Sequence, residues 1–537
     1  MATTEVRPET SQSNDETPRD ATPPTRESAT DRRERVDAVG GPSVRNVVVL
    51  CLDTVRADVF AERAPRLHAL ADTVFTECRA ASGWSTPSHA SMLTGRLPHD
   101  HGVHAHGDDF DALDRSDTLL GDLPHRALGV SANVYAGSAF GFDRLFDEFV
   151  DVARDHRYPA GLDAATFVAE REGTGVSSVT ATLRAALSHD HPALSLANAG
   201  CLAVDAATRD RIGVPAVFDD GARTALRDSR RLVAETDDAT DDPFLLFCNL
   251  MEAHEPHRDT LGYDRGRYAD GVPRGWSTRG LTPSDVLLGE GETATRDRDL
   301  RRFRALYAAS VDYLDRRVSA FVRELLSAAP ETTVVVTADH GENLADDGER
   351  LFGHVGSLSE AVLHVPLLVV NAPGDAPERV TDRVSHLGLR ELVVGLARGT
   401  FPDVTTARPV AEVVGLTPGN DRLLDADPNW DRTVRVAYDG EVKYCWDSVG
   451  GQATYDVDPE RPCRQRLTAG REAVRVGEQG DDAGGDTERG TPRLPDWVRE
   501  RFACPVTAVV GDRRHQPERR GETDATVERR LRDLGYR

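Results

Sequence analysis

Four short runs in this chain are continuously apolar and rich in β-branched residues: Val47-Val48-Val49-Leu50-Cys51-Leu52, Phe244-Leu245-Leu246-Phe247-Cys248, Thr333-Val334-Val335-Val336, and Val365-Pro366-Leu367-Leu368-Val369-Val370. Runs of this kind belong to strands buried on both faces of a parallel sheet. Residues 73–78 and 127–135 read as further strands, and residues 65–72 as a short helix opened by Pro65. Phe303, Leu306, Tyr307, Val311, Leu314, Val318, Phe321 and Leu325 are spaced for one apolar helix face. Weaker helical stretches cover 175–188 and 218–236, and the small-residue segment 193–214 between them receives no element. Strands alternating with helices predict an α/β fold with a mostly parallel central sheet sandwiched by helices.

The flanks have a different texture. Residues 1–44 are polar and charged with few large apolar side chains, and such a segment cannot offset its ordering entropy. They read as a disordered tail before a large α/β domain over 45–400. Residues 401–537 read as a small C-terminal subdomain. Its short antiparallel strands at 433–438, 441–446 and 452–455 are joined by Asp439-Gly440 and Gly450-Gly451 turns. A mobile acidic loop is expected near 475–493 and a terminal helix over 527–534, while the Gly- and Arg-rich stretch 258–299 is long enough for a lid.

Composition narrows the partners. The 537 residues hold 65 Lys plus Arg against 90 Asp plus Glu, a formal charge of −25, which argues against nucleic acid or an anionic membrane as partner. Lys443 is the only lysine, and this acidic, arginine-for-lysine bias resembles the proteins of salt-loving archaea. The seven cysteines show no Cys-x-x-Cys spacing, so neither a disulfide framework nor a zinc finger is expected. With no apolar export segment and no run of membrane-spanning length, the chain is expected to be cytoplasmic.

Candidate chemistry gathers where strands end, the position at which open α/β sheets bind ligands. Asp53 follows the first apolar run, His254 follows the second, and Asp339-His340 follows the third. An Asp-His pair at a strand tip offers a carboxylate oxygen and an imidazole nitrogen to a divalent ion. Ser85 opens the block Ser85-Thr86-Pro87-Ser88-His89 to Thr94-Gly95, expected to wind into a helix from Ser88 onward. A hydroxyl near such a helix start faces unpaired amides that favour oxyanions. The run His99-Asp100-His101-Gly102-Val103-His104-Ala105-His106 is expected to be mostly solvated.

Several of these blocks resemble the sulfatase branch of the alkaline phosphatase superfamily. They are Leu52-Asp53-Thr54-Val55-Arg56-Ala57-Asp58, Ser85-Thr86-Pro87-Ser88-His89, Glu252-Ala253-His254-Glu255-Pro256 and Thr337-Ala338-Asp339-His340-Gly341-Glu342. The likeness covers about 45–460 and implies an alkaline phosphatase-like fold closed by a small four-stranded sheet and helix. It implies that Asp53, Asp339 and His340 bind one divalent cation, calcium, manganese or zinc, beside a nucleophile at Ser85. It also implies that His254 and His354 contact the ester oxygens or protonate the leaving group, that Asn133 and Tyr135 line the pocket, and that His89 belongs to the substrate side of the signature block.

The pattern departs from the family at three points. Thr54 stands where sulfatases have a second Asp, and the sulfate-clamping lysines are absent. The family nucleophile is a Cys or Ser oxidised to formylglycine in a motif ending in Arg, and His89 occupies that end here, so Ser85 is expected to act unmodified. Sulfate ester hydrolysis of a small-molecule or glycan substrate leads by resemblance. Phosphoester or phosphonate hydrolysis, or phosphoryl transfer, stays open on chemistry, and a catalytically silent binding protein is the alternative of another class.

Overall fold

The structure is a computed structural model. It describes residues 44–537 apart from 155, 172–175, 209–212, 240–241, 269–270, 347–350, 462, 472–492, 503, 509–526, 530 and 532–537. Apart from Val44 and Arg493, the tail expected over 1–44 and the acidic loop near 475–493 lie outside the described residues, as does half of the terminal helix expected over 527–534.

The strands in chain order are β1 (Asn46–Leu52), β2 (Thr73–Arg79), β3 (Arg126–Ser131), β4 (Glu148–Asp151), β5 (Phe244–Leu250), β6 (Thr332–Thr337), β7 (Asn343–Leu344), β8 (Phe352–Gly353) and β9 (His364–Val370). They continue with β10 (Arg379–Val380), β11 (Val384–Ser385), β12 (Val410–Val414), β13 (Thr433–Asp439), β14 (Val442–Asp447), β15 (Gln452–Val457) and β16 (Gln465–Arg471). The large sheet runs β10-β2-β9-β6-β1-β5-β3-β4, with β11 also on β2. Only β9 runs against its neighbours β2 and β6, so the sheet is mixed but mostly parallel and flanked by helices. The central strands β1, β5, β6 and β9 are buried along almost their whole length, which is why they read as unbroken apolar runs.

Register brings the chemistry to one edge. Cys51 of β1 lies opposite Asn249 of β5 and Thr337 of β6, and Asn249 lies opposite Ser131 of β3. The residues that follow these strands therefore leave the sheet side by side at its carboxyl end. A separate antiparallel sheet, β12-β13-β14-β15-β16, carries five strands rather than the four expected, because Gln465–Arg471 adds an edge.

Several boundaries differ from the sequence pattern. The helix expected from Ser88 begins at Ser85 and runs to Thr94, since Pro87 sits in the first turn, where a missing N–H costs nothing. Strand β3 stops at Ser131, because the Asn133 side chain accepts from the Tyr135 N–H at 2.8 Å and caps a short turn instead of continuing the ladder. The unassigned segment near 193–214 contains a helix, Pro192–Thr208, whose buried residues are the polar Ser195, Asn198 and Asp205, so no apolar stripe announces it. The long helix spans Thr293–Ala328, well beyond its apolar stripe.

The stretch expected as a lid is tied down. His257 and Thr278 exchange hydrogen bonds at 2.8 and 2.9 Å, the Asp259 N–H donates to the Trp276 carbonyl at 3.0 Å, and short helices cover Arg265–Tyr268 and Pro283–Leu287. The histidine run is not solvated either. The structure buries His101, whose ring meets the Ser91 hydroxyl at 3.1 Å, and holds His99 against Glu412 at 2.7 Å and His106 against Asp431 at 2.8 Å. These imidazoles join the helix after Ser85 to the small sheet. The seven cysteines, all described, form no disulfide. No helix among the described residues is long and apolar enough to cross a membrane.

Candidate functional site

Thr54 is where three strand ends are joined. It takes a positive φ of 59°, uncommon for a β-branched residue, and is held there from two sides. Its N–H donates to Asp339 Oδ1 at 3.2 Å and its hydroxyl to the Ala253 carbonyl at 2.7 Å, tying the segment after β1 to those after β6 and β5. The Tyr307 hydroxyl, from the long helix, donates to the Thr54 carbonyl at 2.8 Å.

Asp53, preceding it, is fully buried. Its Oδ2 accepts from Asn133 Nδ2 at 2.6 Å, Asn249 Nδ2 at 3.3 Å and the Ser85 hydroxyl at 3.4 Å. Its Oδ1 has no hydrogen-bond partner. The same holds for Asp339 Oδ2 and His340 Nε2, also completely buried. Asp53, Asp339 and His340 present one ligand atom each, all within 4.8 Å of one another. His340 donates Nδ1–H to the Gly341 carbonyl at 2.9 Å, which leaves Nε2 as the lone-pair nitrogen, the tautomer a metal requires. Burial, then the neighbouring His354, holds this imidazole well below its usual value and therefore neutral. Gly341 is needed for the turn, because a Cβ there would lie 2.2 Å from the Ala361 carbonyl.

Buried polar atoms left without partners are costly. Three of them converging, two on carboxylates and one on a correctly oriented imidazole, is the donor set of a divalent cation site. The residues present thus fit a metal ion.

Ser85 is the first residue of its helix, and Trp84 before it supplies no side-chain cap, so the electropositive end stays open beside the Ser85 hydroxyl. His89 lies one turn on, buried behind the site. It donates Nδ1–H to the Ser85 carbonyl at 2.7 Å and accepts from Asn249 Nδ2 at 2.9 Å, so both ring nitrogens serve the protein. Ser88 donates to the Asp339 carbonyl at 2.5 Å. Asn133 lies against Asp53, and the buried Tyr135 packs edge-on to Trp84 at 5.7 Å.

His254 and His354 close the other side, with ring centroids 5.5 Å apart and His354 4.6 Å from His340. His354 donates Nδ1–H to Glu342 Oε2 at 3.3 Å, and burial, then the charge of His254, pushes it down to about 3. Burial also disfavours charge on His254, yet Asp53, Glu255 and Glu342 outweigh it and hold this imidazole above its usual value. Burial raises Glu255 and Glu342 to about 8, with the charge of Glu342 adding to it at Glu255 and that of Asp53 at Glu342.

Asn249, Ser88 and Glu342 carry no role in the sequence reading. Asn249 had a signal, as the one polar side chain in the apolar strand β5. Glu342 and Ser88 had none beyond their motifs.

The described relatives agree with this architecture. A family model for sulfatases matches residues 45–399, about two thirds of the chain. The chain belongs to the sulfatase family. Among solved structures, this sulfatase-family chain is similar to the phosphonate monoester hydrolase of Silicibacter pomeroyi, at 16% identity and a TM-score of 0.52 over 78% of this chain and 90% of that one. It is similar to the phosphonate monoester hydrolase of Agrobacterium radiobacter, at 15% identity and 0.51 over the same shares. A third structure, solved with its substrate D-glucosamine-2-N,6-O-disulfate, matches at 12% identity and 0.50 over 79% of this chain and 93% of that one. At these identities the likeness is one of fold. No curated protein sequence matches the chain. As a sulfatase-family member it is a hydrolase of the sulfate and phosphate ester class, a family that typically binds a divalent metal.

Proposed function

We propose that this chain hydrolyses sulfate esters of a small molecule or glycan with an unmodified Ser85 as nucleophile and one divalent cation held by Asp53, Asp339 and His340. One observation carries the reading: three bare, buried ligand atoms converge beside a serine hydroxyl at an open helix N-terminus. Two carboxylates and an imidazole favour manganese or zinc over calcium, which prefers oxygen donors. A bound ion supplies the charge that neutralises the ester oxygens and lowers the pKa of the adjacent hydroxyl.

The remaining steps belong to the chain. Asp53 Oδ2 and the open helix end orient the Ser85 hydroxyl; its oxygen bonds to sulfur as the bond to the leaving alcohol breaks, and its proton passes to Asp53 Oδ2, the acceptor of its hydrogen bond, and returns when the serine ester is cleaved. His254, whose imidazole Asp53 and its other neighbours hold above its usual value, gives its proton to the leaving oxygen. His354, neutral and oriented by Glu342, takes the proton released when water then cleaves the serine ester. Asn133 steadies Asp53, Tyr135 lines the pocket beside Trp84, and His89 fixes the backbone of the nucleophile.

A second reading, phosphonate monoester or phosphodiester hydrolysis, is favoured by the lack of a clamping lysine. The single lysine, Lys443, is spent on Glu360 at 2.8 Å. Two solved structures of similar fold are named phosphonate monoester hydrolases. The deciding experiment assays aryl sulfate, phosphate monoester, phosphodiester and phosphonate monoester side by side at high salt with manganese, zinc or calcium. Fastest turnover of the aryl sulfate, lost in Ser85→Ala, supports the first reading. Fastest turnover of phosphonate or diester replaces it with the second. Metal binding with no turnover of any ester makes the chain a binding protein.

A further inference from the structure

The helix Pro192–Thr208 is built inside out. Its inward side chains are polar: Asn198 Nδ2 donates to the carbonyls of Tyr158 and Leu162 at 3.0 and 3.1 Å, Ser195 accepts from the Leu162 N–H at 2.8 Å, and Asp205 pairs with Arg154 at 3.1 Å. Its outward side chains are apolar or small, among them Leu196, Ala203, Val204 and Ala207. The preceding helix, Val176–Ser188, packs against it and turns Val179, Leu183 and Leu187 to solvent at a spacing of four residues, one stripe down one face. Five large apolar side chains of this hairpin, Val179, Leu183, Leu187, Leu196 and Val204, are exposed, from 36% at Leu196 to 63% at Leu187. An ordinary surface helix has the opposite polarity, so a face of this kind marks a contact surface.

We infer that this helical hairpin is the self-association surface of the protein, on which a second copy packs its own hairpin face to face about a two-fold axis. Charge selects the occupant. Between residues 176 and 208 only Arg184, Asp190 and Asp205 are charged, three of 33, whereas 29% of the whole chain is charged and its net charge is −25. Two such acidic molecules repel over most of their surfaces, and this uncharged face is where they meet without repulsion. An anionic membrane finds a single exposed cation there, Arg184. The polar segment 1–43 has only Met1, Val6, Val36 and Val39 as large apolar residues, too few to cover the stripe. An isologous pair matches the stripe with itself and makes a four-helix arrangement.

The test is sedimentation and light scattering of the full chain at high salt over a concentration series, beside a Leu183→Asp, Leu187→Asp double variant and a control Val449→Asp on an exposed apolar residue of the β14–β15 turn, outside the hairpin. The unmodified chain and the control are expected at twice the chain mass, and the double variant at one chain mass with unchanged circular dichroism. A unit mass for the unmodified chain at every concentration overturns the inference, as does a dimer that persists in the double variant. Flotation of a monomeric unmodified chain with phosphatidylcholine vesicles, abolished in the double variant, also overturns it and gives the face to lipid. A Leu187→Cys variant that oxidises to a covalent dimer with itself supports the face-to-face geometry; failure to cross-link overturns it.

Discussion

Asn133 Nδ2 donates to Asp53 Oδ2 over 2.6 Å, the shortest of the three hydrogen bonds that oxygen receives, while the other Asp53 oxygen stays bare. One oxygen is thereby spent on orientation and the other presented. Removing such a partner typically weakens metal affinity about 10- to 100-fold. Asn133→Ala should therefore lower manganese or zinc affinity by that factor, read by calorimetric titration, with circular dichroism unchanged.

Asp339→Ala and His340→Ala each remove one of the three converging ligand atoms. Purified wild-type protein is expected to carry a divalent ion by elemental analysis and to lose thermal stability on chelation. An ion at 100 times its Kd stabilises the fold by about 2.7 kcal/mol. In both variants the melting temperature should be indifferent to added metal; a metal-dependent shift that survives in either would remove it from the ligand set.

Ser85 is expected to be an unmodified serine. Intact mass of the peptide containing it should match the encoded sequence, and a loss of about two hydrogens there would show conversion to the aldehyde and restore the usual family nucleophile.

Stability should fall with acid. Burial pushes His101, His257, His364 and His386 down to about 3 from an ordinary 6.5. An imidazole held below its unfolded value contributes stability that is complete above about 6.5 and lost as pH falls toward 3, at up to ~1.4 kcal/mol per pH unit per group. Glu255 and Glu342, raised to about 8, act in the opposite sense: their contribution is complete below the ordinary 4.5 and lost as pH rises through 8. Melting temperatures of the chelated protein should decline from pH 7 to pH 5. His101→Gln should flatten that decline, and Glu342→Gln should flatten the alkaline limb.

Lys443 and Arg79 both pair with the buried Glu360, at 2.8 and 3.0 Å, and together hold its carboxyl at about 2 against burial. Removing one partner of a buried pair costs about 3 kcal/mol. Lys443→Met should lose that much in urea unfolding, and a change below about 0.5 kcal/mol would mean that Arg79 and the Tyr438 hydroxyl satisfy the carboxylate without it.

Much of this was open to a reader of the sequence, for a physical reason: strands buried on both faces must be apolar throughout, so β1, β5, β6 and β9 announce themselves, and the residues that end them stand out. Asp53, His254 and Asp339-His340 were legible in that way, and the α/β architecture with them. Polarity inside the protein was not legible. The histidine run looked like a wet loop, yet Ser91, Glu412 and Asp431 pair with it across more than 300 residues of chain in two cases. The helix Pro192–Thr208 went unseen because its polar face is the buried one. His89 gave no sign that both its nitrogens would be taken by Ser85 and Asn249. Local pattern reports which side chains avoid water, so the sequence by itself determined the sheet and the residues at its edge. Which oxygen of Asp53 is spent on Asn133 and which is left bare depends on partners that only the register of β1, β3 and β5 brings within reach, and that was decided by the tertiary structure.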